Sequence, residues 1–138
     1  MAKRILAVIA GLVVWMIVAT AAGLILRAAW PEYAAVADAM TFTLAMMVAR
    51  LSIGAAATIV MGWVTAVISA RSTLTTLTAG LILLALFIPQ HVMLWARFPI
   101  WYHLTFLCSL VPLAYIGGQI AVRRQSRGLL EGTVQLKS

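Results

Sequence analysis

Four uncharged apolar runs divide this chain. Residues 5–26 follow Lys3 and Arg4 and stop at Arg27; residues 51–70 lie between Arg50 and Arg71. Residues 74–96 end before Arg97, and residues 100–122 end at Arg123 and Arg124. About 20 helical residues cross a hydrocarbon core of ~30 Å, so each run is long enough to span. The connections are short, and the pattern predicts an all-α integral membrane four-helix up-and-down bundle forming one transmembrane domain over residues 1–138.

The segments between the runs carry their own signals. Trp30-Pro31-Glu32-Tyr33 reads as an interface turn, since Pro31 blocks helix continuation and Trp and Tyr favour the head-group level. Residues 34–49 are apolar but short, and they contain Asp38. We expect residues 36–49 to form a short extra helical extension on the outer face, ahead of the second span. An alternative register slides that span to about 41–63 and buries Arg50 among the helices. An intramembrane arginine is costly, so Arg50 is expected at the outer interface. Pro89 and Pro112 fall inside the third and fourth runs and should kink them. Residues 123–138 are expected as a short, polar, poorly ordered cytoplasmic tail. The first run shares the grammar of a signal peptide, but its length and Trp15 favour an uncleaved helix.

Composition explains why lipid must be the solvent. The chain is 64% hydrophobic and 9% charged, against ~45–50% and ~25% in soluble domains. A small soluble fold leaves too much area exposed to hide that apolar surface. The net charge of +7 would suit a nucleic-acid partner if it formed a solvent-facing patch. Here the charges sit at the ends of apolar runs, so membrane lipids are the expected partners and nucleic acid is not. With the N-terminus inside, Lys3, Arg4, Arg71, Arg123, Arg124, Arg127 and Lys137 share one side, and Arg27, Arg50 and Arg97 the other. Basic residues accumulate on the cytoplasmic side, which predicts both termini inside a bacterial inner membrane.

Helices in lipid associate through close packing at small residues and through interhelical hydrogen bonds. Gly54, Thr58, Gly62, Ala66 and Ala70 recur every fourth residue and should form a groove for a neighbouring helix. Ala19 with Gly23, and Ala114 with Gly118, are shorter versions. Gln90, Ser109, Tyr115, Gln119 and Thr58 are expected to supply interhelical polar contacts.

The candidate chemistry is narrow. No Asp or Glu lies within the four runs, which disfavours carboxylate proton relays and acidic pore rings. A single cysteine, Cys108, excludes an internal disulfide and a CxxC pair. Catalytic sets, phosphate loops and zinc helix motifs are missing, so the chain reads as non-enzymatic, with no cofactor implied. His91 and His103 stand near the junction of consecutive antiparallel helices and should approach each other. Arg27, Arg50, Arg97, His91 and His103 are all placed at the outer face, more cation than Glu32 and Asp38 can neutralise. Such a set suits an anionic head group or amphiphile.

The expected function is that of a small non-enzymatic polytopic protein acting through helix–helix or lipid contacts. It would be an accessory subunit of a larger membrane complex or a homo-oligomer. One alternative is a transporter or binder of a lipid or amphiphile with an outer-leaflet pocket between the kinked third and fourth helices. A second is a haem or metal protein using His91 and His103.

Overall fold

The computed structural model describes residues 1–135, with side chains up to Arg124. Its elements are α1 (Ala2–Ala29), α2 (Pro31–Ala37), α3 (Leu44–Ile68), α4 (Thr73–Met93), a 3-10 turn (Trp95–Arg97) and α5 (Ile100–Gln135). Four of these helices, all but α2, are long and apolar enough to cross a membrane. The chain is thus a multi-pass membrane protein with four candidate spans.

Local chemistry sets the helix ends. Trp30 leaves α1 in extended backbone, and Pro31 starts α2 at its first position, where a missing N–H costs nothing. The short extra helix expected ahead of the second span is therefore present, but it begins at Pro31 rather than at residue 36. The backbone then breaks at Met40, with φ of 57°, and Thr43 caps α3 by accepting from the Met46 N–H at 3.4 Å. The helix that holds the expected second span consequently starts at Leu44, and Arg50 sits about two turns into it. At the other end the Arg71 N–H reaches the Ala66 carbonyl at 2.7 Å. Ala70 and Arg71 lie at φ of 53° and 66°, which closes the helix in a left-handed turn. Ala70 is thereby outside the helical small-residue stripe. Ser72 caps α4, accepting from Thr75 N at 3.3 Å. The expected tail over residues 123–138 is helical in its backbone to Gln135; its other features, Lys137 included, lie outside the described residues.

α3 and α5 form the centre of the bundle. α3 packs most broadly on α5 and next on α1, while α4 rests chiefly on α5. A side chain at Gly62 would run into the backbone of Ala114, and one at Gly117 into the backbone of Ile59. The two helices approach to backbone contact because glycine leaves nothing in the way. Gly11 of α1 instead makes room for the Thr65 and Met61 side chains, and Gly118 of α5 for that of Thr76. The groove on α3 is thus filled by α5 of the same chain. Gly23 differs, with nothing near the position of an added Cβ. Around this seam lies a core of Met61, Leu83, Phe106 and Leu110. Thr58 ties α1 to α3: its hydroxyl accepts from Trp15 Nε1 at 3.0 Å and donates to the Gly54 carbonyl at 2.7 Å. The wider polar set is dispersed, with Gln90 and Tyr115 exposed and Ser109 turned back on the Phe106 carbonyl. α1 is the peripheral helix: 11% of its most apolar window is buried, against 39% for α3.

Candidate functional site

At the bundle end where α2 lies, Arg50 projects from α3 into a ring of aromatic side chains. Its Nη1 donates to the Tyr33 hydroxyl at 2.8 Å and its Nε to the Tyr102 hydroxyl at 3.4 Å. The guanidinium carbon stands 4.7 Å from the centroid of Phe42, a cation–π distance. Each contact depends on a different element. α2 brings Tyr33, whose ring is 3% exposed; the turn after α2 brings Phe42; α5 brings Tyr102. Tyr33 stacks on Phe42 at 5.2 Å, Phe42 on Phe98 at 6.0 Å, and Phe98 on Tyr102 at 4.9 Å. This stack closes α2 and the 3-10 segment over the ends of the spans.

No carboxylate neutralises Arg50 among the described residues. The salt bridge present there joins Arg27 to Asp38 at 3.4 Å, and both side chains are at least half exposed. A guanidinium half-buried in an apolar bundle without a counter-ion is costly. Phenol oxygens and a ring face offset part of that cost, because both present negative density. Arg50 keeps further N–H donors beyond the two used, and each tyrosine keeps its own O–H. These donors border a crevice of about 180 Å³. Trp15, Ala19 and Gly23 of α1 form one wall, and Ile53, Phe87 and Phe106 form the other. The crevice opens between α1 and the other spans, with Phe87 of α4 and Phe106 of α5 on its far wall. Pro89 and Pro112 do not line it.

His91 and His103 meet beside this site. Their Nδ1 atoms are 2.7 Å apart, and the rings are 8% and 0% exposed. His103 lies parallel to Trp95 at 4.8 Å and His91 to Phe106 at 4.8 Å. A bridge of this length needs one donor and one acceptor nitrogen. Two imidazoles sharing an ion through bonds of about 2.0–2.1 Å stand further apart, and haem axial ligands further still. The described residues also bring no group of three or more His, Cys, Asp or Glu together. The spacing is that of a hydrogen bond between the two rings. His103 Nε2 is buried with no hydrogen-bond partner among the described residues.

Of the five residues expected to share a site, Arg50, His91 and His103 converge around Tyr102, whose ring lies 6.3 Å from His91. Arg27 is drawn off by Asp38. Arg97 is exposed in the 3-10 turn. Tyr33 was expected only at the head-group level, in an interface turn, and Phe42 carried no signal. Their pairing with Arg50 depends on where α2 folds back. Family models, curated proteins and solved structures were compared with this chain, and none matches it.

Proposed function

We propose that this four-span membrane protein binds a single-chain anionic amphiphile, with the head group on Arg50 and the chain in the crevice beside α1. The observation that carries the reading is the half-buried Arg50 guanidinium, free of any carboxylate partner among the described residues and bordering an apolar gap. A carboxylate or phosphate head would accept from the remaining guanidinium donors and from the Tyr33 and Tyr102 hydroxyls. Such charge-assisted, two-pronged bonds are roughly twice as strong as neutral ones. They would also relieve the cost of an unpaired cation in lipid. About 180 Å³ equals the share of roughly six water molecules at ~30 Å³ each, room for part of one chain and not two. The charge count of the connections supports an outer-leaflet position in a bacterial inner membrane.

The reading based on helix contacts keeps less support. The small-residue groove of α3 faces α5 of the same chain, so it is not open to a partner subunit.

Native mass spectrometry of the purified protein with added palmitate or lysophosphatidate tests the binding reading and separates carboxylate from phosphate heads. Wild-type protein should retain at least one of them. Arg50→Lys, which keeps the charge and loses the fork, should weaken retention about tenfold, a change of ~1.4 kcal/mol. Equal retention by both proteins would overturn the assignment to Arg50.

A further inference from the structure

A second opening lies on the same face of α1. Near the chain start, Met1, Ile5, Val8 and Leu12 form one wall of a groove of about 590 Å³, and Leu74 and Ile82 of α4 belong to the other. Arg4 stands in this groove too, next to Lys3 in sequence. Spaced three or four apart, Met1, Ile5, Val8 and Leu12 continue directly into Trp15, Ala19 and Gly23, which line the Arg50 crevice. That spacing defines one helix face. The two openings are therefore the ends of a single seam between α1 and the rest of the bundle, at opposite ends of α1.

Little separates them. Leu12 borders one opening and Trp15 the other, one helical turn apart, about 4.5 Å of rise. The barrier is the edge contact of Trp15 with Phe87 of α4, at 4.9 Å between ring centroids. One hydrogen bond to Thr58 fixes the Trp15 indole. α1 is the least buried of the four spans, and its contact with α4 is thin beside its contact with α3. Each mouth carries an arginine, and no Asp or Glu lies along α1 or α4 to repel an anion. Threonine hydroxyls at positions 75 and 78 line the Arg4 end.

We propose that the α1 seam is a transbilayer path for a single-chain anionic amphiphile, closed at rest by Trp15 against Phe87. The inference rests on the amphiphile-binding reading of the Arg50 crevice. The head group passes between Arg4 and Arg50 while the chain stays in the apolar seam. Opening requires the Trp15 indole to leave Thr58 and turn away from Phe87.

The test uses the whole chain in phosphatidylcholine vesicles and NBD-labelled lysophosphatidate, whose outer-leaflet fraction fatty-acid-free albumin extracts with a fall in fluorescence. Wild-type protein should expose the inner-leaflet probe several times faster than empty vesicles, and Trp15→Ala faster again. A Trp15→Cys, Phe87→Cys pair in a Cys108→Ser background, joined by a short reducible bis-thiosulfonate, should fall to the empty-vesicle rate and recover on reduction. That recovery shows that the cross-linked protein was folded. The same probe is followed by native mass spectrometry on the same preparations. Probe retained but moved no faster than in empty vesicles overturns the path and leaves the binding site standing. Probe neither retained nor moved overturns both.

Discussion

Arg50 Nη1 lies 2.8 Å from the Tyr33 hydroxyl and its Nε 3.4 Å from that of Tyr102, so the tighter anchor of the cation is the short helix α2. The first distance is within the range of a strong N–H···O bond and the second at its weak limit. Tyr33→Phe should therefore destabilise the protein by about 1–3 kcal/mol, the cost of an unsatisfied half-buried donor. Tyr102→Phe should cost less. Thermal unfolding of both variants in one detergent gives the order, and the reverse order would mean that α5 holds the guanidinium.

Glycines in this bundle divide by what surrounds them. A Cβ on Gly62 would come within 2.9 Å of the Ala114 Cα, a backbone atom that cannot step aside. Gly62→Ala should lower stability by about 1–3 kcal/mol through overpacking, and Gly62→Leu by more. Gly23 has an open position, so Gly23→Ala should be neutral or stabilising by about 0.5–1 kcal/mol. Val60→Leu, at a partly exposed site, should change little. Melting temperatures of the four variants check the whole ordering.

The histidine bridge predicts strong non-additivity. His91→Phe strands both ring nitrogens of fully buried His103 in an aromatic box, and His103→Phe strands Nδ1 of His91. Each single variant should lose about 1–3 kcal/mol. The double variant, with both polar partners replaced by rings of similar shape, should recover much of that loss. A double-mutant cycle from chemical unfolding measures the coupling, expected at about 0.5–3 kcal/mol. Simple additivity would mean that the two rings do not bond.

Orientation is open to direct labelling. In a Cys108→Ser background, Ala35→Cys on α2 should react in intact cells with a membrane-impermeant maleimide, because α2 shares the bundle end with Arg50. Ala2→Cys should react only after the membrane is permeabilised. Labelling of the second and protection of the first would invert the topology and place the amphiphile head in the inner leaflet.

Hydropathy and chain length were enough to specify four spans, because in lipid every helix must satisfy its own backbone and be apolar along its length. That requirement is local and can be read one run at a time. The meeting of His91 and His103 was also legible, since they are twelve residues apart on consecutive helices joined by a short turn. The partners of Arg50 were not. Charge argues for the edge of a span, while those partners follow from Thr43 starting α3 about two turns before this arginine and from α2 folding back to meet it. Tyr33 precedes Arg50 by seventeen residues, and Trp15 precedes Thr58 by forty-three. No helical periodicity links such positions. Their contacts are products of how α1 and α2 close onto α3, where side-chain shape and unpaired polar atoms select one packing among many that the same apolar pattern allows.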